Sequence, residues 1–120
     1  MIDHVSIESS DLDRSAAFYD AVLQPLGWRR QADSGKGVGW GMGKPVFFVL
    51  PSGTARAGSG HVCFAAKSIP AVKAAWEAGM QAGGSDGGRP GARPQYGSGY
   101  YSADLLDPDG HRIEIAVSPE

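Results

Sequence analysis

Two histidines and one glutamate are the residues of this 120-residue chain whose types and placement could do chemistry as a set. His4 and His61 each open a short alternating segment, His4-Val5-Ser6-Ile7 and His61-Val62-Cys63-Phe64. Glu114 lies in a third alternating run, Arg112–Val117. Successive strand side chains point to opposite faces, so His4, His61 and Glu114 are expected to turn away from apolar Val5, Ile7, Val62, Phe64, Ile113 and Ile115. Two neutral imidazoles and one carboxylate on a sheet form a facial ligand set for Fe(II), Mn(II), Ni(II) or Zn(II). Three protein ligands leave positions open for substrate or water, which is the pattern of a catalytic site. Taken singly, each residue also reads as an ordinary strand position: His4 near a terminus, His61 filling space, Glu114 paired with Arg112.

The elements that must position these residues follow from an internal repeat. At an offset of 57, without gaps, residues 4–27 lie over residues 61–84, and His4 coincides with His61. Asp20 falls over Glu77, Tyr19 over Trp76 and Gly27 over Gly84. Each copy reads as a strand followed by a helix. The first helix has Ser10 or Asp11 as N-cap, with Leu12, Ala16, Tyr19, Val22 and Leu23 at helical spacing, and a stop at Pro25 and Gly27. The second has Ser68 as N-cap, Pro70 in its first turn, and a stop at Gly83-Gly84. Strands are expected at Trp28–Ala32, around Val38–Met42, and at Val46–Leu50. In the second copy they are expected at Tyr100–Leu106 and Arg112–Val117, joined by a turn at Asp107–Gly110. Residues 83–99 read as a Gly, Pro and Arg-rich loop with room for one short strand. The expected fold is α+β: one domain over 1–120, made of two tandem βαβββ modules (1–52 and 60–120) joined by a linker at 53–59. Their sheets would curve into a partly open, mixed, barrel-like hollow.

Other residues join the candidate pocket by register. Pairing Leu106 with His111 across the turn puts Ala103 opposite Glu114 and Tyr101 on the glutamate's face, as a hydrogen-bond donor or acid/base. A bulge would bring Tyr100 there instead, and an aromatic core residue with a wet hydroxyl is the alternative for Tyr101. Trp40 and Phe47 are candidate apolar walls for a substrate, or ordinary packing residues.

Composition narrows the remaining classes. A net charge of −2 and a pI near 5.9, with no basic cluster, give no footprint for nucleic acid. The longest apolar runs, Val46–Leu50 and Val62–Ala66, are far short of the ~20 residues that span a bilayer. No signal peptide is expected at the start, so a cytoplasmic location is expected. The single cysteine, Cys63, excludes an internal disulfide and a cysteine-built zinc site. The 18 glycines do not imply disorder, because 42% of the chain is apolar. Five of them occupy alternate positions from Gly35 to Gly43, leaving one face of that strand bare.

With these residues in view, the chain resembles the vicinal oxygen chelate superfamily, which includes glyoxalase I, bleomycin-resistance proteins, fosfomycin-resistance proteins and extradiol dioxygenases. The resemblance rests on IDHVSIESSDLDRSAAFYDAVL, HVCFAAKS, RPGARPQYGSGYYSADLL and the closing DPDGHRIEIAV. It implies metal ligation by His4, His61 and Glu114, and a small organic substrate that offers two neighbouring oxygens; together with the register above, Glu114 and Tyr101 are the candidate catalytic residues. It implies dioxygenase-like or lyase/isomerase-like chemistry, with a non-catalytic, bleomycin-resistance type of sequestering protein as the alternative. Glyoxalase I enzymes add a glutamate from the last strand of the first module; here Phe47 or, one register away, Phe48 holds that place. A homodimer is expected, with the site closed either within one chain or across two.

Overall fold

The computed structural model describes residues 1–118. The chain enters on β1 (Val5–Ser9) and turns into α1 (Leu12–Leu23), whose N-cap is Asp11; its carboxylate accepts the Arg14 backbone N–H at 3.1 Å. A 3-10 turn at Gln24–Leu26 contains Pro25 and closes on Gly27, whose φ of 85° favours a residue without a Cβ. The strands β2 (Arg29–Asp33), β3 (Val38–Gly41) and β4 (Phe47–Pro51) then complete a four-stranded sheet of order β1-β4-β3-β2. The second half repeats this order. It has β5 (His61–Ala65), α2 (Ile69–Gln81), β6 (Ser85–Ala92), β7 (Tyr101–Leu106) and β8 (Arg112–Val117), arranged as β5-β8-β7-β6. In each sheet the first strand runs parallel to the last, and the other pairs are antiparallel. Ser68 caps α2 by accepting the Ala71 N–H at 3.2 Å. The glycine-rich stretch after α2 forms a longer strand than its composition suggests, and its pairing with β7 slips twice, around Gly88.

One apolar core joins both halves. Phe18, Tyr19, Val22 and Leu23 of α1, Trp40, Phe47 and Val49 of the first sheet, and Phe64, Leu105, Ile113 and Ile115 of the second all belong to it. The helix-covered faces of both sheets therefore share a single interior with the two helices. This corrects the expectation of a barrel-like hollow within the chain: the sheets remain two separate four-stranded units. Burying apolar area on the helix side decides the arrangement, and the helix-free faces turn away from the core. Among the described residues, no helix is long and apolar enough to cross a membrane.

The bare strand face has a definite use. A Cβ on Gly39 would lie 2.7 Å from the ring of Phe48, and one on Gly41 would collide with the backbone carbonyl of Lys44. The glycines thus let Phe48 and the Lys44-Pro45 turn lie flat on β3. Gly41→Ala is expected to cost about 1–3 kcal/mol through this overpacking. A lower urea midpoint at unchanged m value would register it.

Candidate functional site

On the helix-free face of the second sheet, β5 and β8 pair in parallel with Cys63 opposite Glu114 and His61 opposite Arg112. This stagger brings the His61 Nε2 to 3.2 Å from one oxygen of Glu114. The other oxygen accepts a hydrogen bond from the Tyr100 hydroxyl at 2.8 Å. The Glu114 side chain is only 13% exposed, whereas His61 is 47% exposed, so the carboxylate is the anchored partner and the imidazole the open one. The hydrogen bond to Glu114 pushes the Tyr100 hydroxyl up to about 12, with some burial added, so it stays a proton donor throughout the neutral range. A cavity of about 310 Å³ covers this face, lined by His61, Arg93, Tyr96, Tyr100, Asp104 and Glu114 among others. Asp104, directly across from Glu114 on β7, is neutralised by Arg112 at 2.8 Å.

Tyr101 is not at this site. The turn closes one residue earlier than the expected pairing, because the Asp107 N–H bonds the His111 carbonyl at 2.9 Å and the Asp107 carboxylate takes the N–H groups of Asp109 and His111. Leu106 consequently faces Arg112, Asp104 faces Glu114, and Tyr101 turns to the helix side, where it packs against the core near Trp76. A one-residue shift in a strand moves every side chain to the other face. The sequence signal that could have found Tyr100 is the alternation Tyr100, Ser102, Asp104 once Asp107 and His111 are taken as the closing pair. Arg93 and Tyr96 carried no such signal, since residues 83–99 show no clear periodicity.

The apolar candidates also resolve. Trp40 is fully buried, with its indole N–H donating to Asp20 at 2.9 Å, and it does not line this cavity. Phe47 is buried too, edge-on to Phe64 at 5.0 Å, although it borders a second cavity of about 330 Å³ that includes His4 and Cys63. Both point inward because the helix side of their sheet is the apolar one. The register Ser6 with Phe48 in the first sheet matches Cys63 with Glu114 in the second, so Phe48 is the counterpart of Glu114.

His4 stands apart from the other two candidate ligands. Its Nδ1 contacts Asp3 at 2.9 Å and its ring packs edge-on to Phe48 at 5.5 Å. Among the described residues, no three His, Cys, Asp or Glu side chains gather closely enough to hold a metal ion. An imidazole and a carboxylate are donor types that a divalent ion accepts, and His61 and Glu114 are the pair of the three candidate ligands that the fold brings together. Cys63 borders the pair, and burial, with Glu114 beside it, pushes its thiol up to about 12. Alkylation of Cys63 by iodoacetamide at pH 8 is therefore expected to run at least about 100-fold slower than that of a free thiol, whose pKa is near 8.5. Mass spectrometry of timed samples checks this.

Two four-stranded sheets with one covering helix each, and an imidazole–carboxylate pair on a bare face, define a small α+β protein with a polar cavity on a helix-free sheet. The chain belongs to the Glyoxalase/Bleomycin resistance protein/Dioxygenase superfamily, whose family model matches residues 1–115. Among solved structures, it is similar to a glyoxalase/bleomycin resistance protein from Albidiferax ferrireducens T118, with a TM-score of 0.87, 30% identity and 98% of each chain covered. The fold is also shared with the fosfomycin resistance protein FosX from Mesorhizobium loti (TM-score 0.73, 16% identity, covering 99% of this chain and 92% of that one). Lactoylglutathione lyase from Agrobacterium tumefaciens shares it as well (TM-score 0.67, 20% identity, covering 96% and 92%). A comparison with curated proteins gave no match.

Proposed function

We propose that this protein is a divalent-metal enzyme that binds a small organic substrate through two neighbouring oxygens, at a site of His61 and Glu114 from one chain and His4 from a second copy. The observation that carries the reading is the His61–Glu114 pair, one oxygen of which Tyr100 holds in place. His4 stands alone in its own chain, on the face that Phe48 flanks, which supports a supply across a homodimer. In this reading the chain is two tandem βαβββ modules, and the hollow closes only when one module meets the other module of a partner. A divalent ion held there supplies Lewis acidity toward the substrate oxygens. Glu114 and His61 bind and orient, Tyr100 donates a hydrogen bond to the carboxylate, and Tyr96 walls the cavity. Phe48 in place of a carboxylate favours a three-ligand set, which leaves more positions open to substrate. The proposed setting is cytoplasmic.

Calorimetric titration of the metal-stripped protein with Zn(II) tests the reading. One high-affinity ion per chain is expected. Glu114→Gln is expected to weaken it by more than the roughly 100-fold that loss of a supporting hydrogen bond costs. Tyr100→Phe is expected to weaken it about 10-fold, and Tyr101→Phe not at all. Binding indifferent to Glu114→Gln would overturn the site. Stabilisation by aromatic ligands with EDTA present, and no Zn(II) binding, would favour the sequestering alternative.

A further inference from the structure

We infer that Arg93 is a specificity residue that binds an oxyanion group of the substrate, a carboxylate or phosphonate, beside the His61–Glu114 pair; this rests on the proposed function of that site. The argument is one of charge. The cavity of about 310 Å³ is lined by two carboxylates, Glu114 and Asp104, and by the Arg93 guanidinium. Asp104 is matched by Arg112 at 2.8 Å, and that same guanidinium also donates to the Gly87 carbonyl at 3.1 Å. Glu114 is engaged by Tyr100 and His61. Arg93 has no carboxylate within ion-pair distance among the described residues, although it is half-buried.

Its own contacts are to carbonyls, and they position it. One terminal nitrogen donates to the Arg89 carbonyl at 2.7 Å, and the other reaches the Ala92 carbonyl at 3.5 Å. These bonds hold the fork without neutralising it. Close approach is possible because β6 is built of glycine there: a Cβ on Gly91 would sit 2.8 Å from the guanidinium. A guanidinium has five N–H donors in a fixed plane, so donors remain for a two-oxygen acceptor. The irregular β6, with its two register slips, is thus a platform that presents one uncompensated cation to the cavity. Tyr96 and Tyr100, edge-on at 5.5 Å, flank it and suit a flat organic body between the oxyanion and the metal-binding pair. A cavity holding a divalent ion with one carboxylate ligand, plus an unmatched guanidinium, is net positive and selects anions.

Calorimetry on the Zn(II)-loaded protein tests this with three probes: catechol, 3,4-dihydroxybenzoate and 3,4-dihydroxyphenylphosphonate. Zn(II) is redox-inert, so the probes are not oxidised. At least one oxyanion probe is expected to bind 10-fold or more tightly than catechol, and the larger gain identifies the carboxylate or the phosphonate. Arg93→Gln is expected to bring both back to the affinity of catechol, and Arg93→Lys to restore part of the gain. No gain in the wild type, or a gain that survives Arg93→Gln, overturns the assignment of Arg93. Catechol binding that Glu114→Gln leaves intact would instead overturn the underlying site. The two failures are therefore distinct.

Discussion

Mixed dimers formed from His4→Ala chains and chains carrying both His61→Ala and Glu114→Gln are expected to bind one Zn(II) per dimer, while each parent variant binds none with high affinity. The reasoning is geometric. In one chain His61 and Glu114 touch at 3.2 Å, while His4 is engaged with Asp3 and Phe48. If the set is completed across two copies, a mixed dimer contains one site with all three ligands intact and one with none. If it is completed within a chain, every site in the mixture lacks a ligand. The contrast is between one ion and no ion per mixed dimer, and a metal-to-protein ratio measured on mixed dimers, isolated through a different affinity tag on each variant, reads it. Loss of binding in the mixture, with dimerisation shown by sedimentation, would place all three ligands in the same chain. In the proposed site three donors would share the ion, so removing any one is expected to act strongly, and removals within one site are not expected to add.

The second large effect concerns stability. Asp107 is 4% exposed and accepts three hydrogen bonds: from the Tyr19 hydroxyl at 2.7 Å, and from the N–H groups of Asp109 and His111, each at 2.9 Å. It ties α1 to the β7–β8 turn, 88 residues away in sequence. Tyr19 is itself fully buried, and burial followed by the Asp107 charge pushes its hydroxyl well above the ordinary range, so it remains a donor. Asp107→Ala leaves that hydroxyl without an acceptor and releases the turn. A cost of about 3 kcal/mol is expected, since each buried group left unsatisfied costs about 1–3 kcal/mol. For a chain of this length that lowers Tm by roughly 12 °C, at about 4 °C per kcal/mol. Tyr19→Phe is expected to cost less, and the double variant less than the sum of the two, because both remove one shared bond. A Tm drop under about 3 °C for Asp107→Ala would show that the turn closes without it.

The neighbouring Asp109 adds a pH dependence to the same junction. Burial pushes its carboxyl up, but hydrogen bonds from the side chain and backbone of Ser10 outweigh it and hold the group below its ordinary value. A carboxylate depressed in the folded state contributes stability above its unfolded pKa, near 3.9, and loses it as pH falls through the lower folded value. Asp109→Asn is therefore expected to flatten the loss of stability below about pH 4. Denaturant midpoints at pH 3 to 6 measure it.

Much of the local structure was legible because its causes are local. Ser68 caps its helix through a backbone N–H three residues on, and so does Asp11, which the spacing narrows to itself or Ser10. The alternation in β5 and β8 correctly put His61 and Glu114 on the face opposite Val62, Ile113 and Ile115, since a strand's period of two is a property of its own backbone. The strand in residues 85–92 was much harder to read, because its pairing slips and its glycines have no side chains to alternate.

Sequence alone determined both helices, the Ser68 cap, the strands outside residues 83–99 and the shared bare face of His61 and Glu114, all of which rest on contacts a few residues apart or on strand periodicity. Only the tertiary structure decided that Tyr100, not Tyr101, bonds Glu114, since that register depends on Asp107 closing the turn at His111. It likewise decided that Phe48 is the counterpart of Glu114, that Trp40 is core, and that the sheets share one interior instead of enclosing a hollow. Each of these depends on which apolar faces meet across the whole chain, and that choice is made by the total area buried between distant segments.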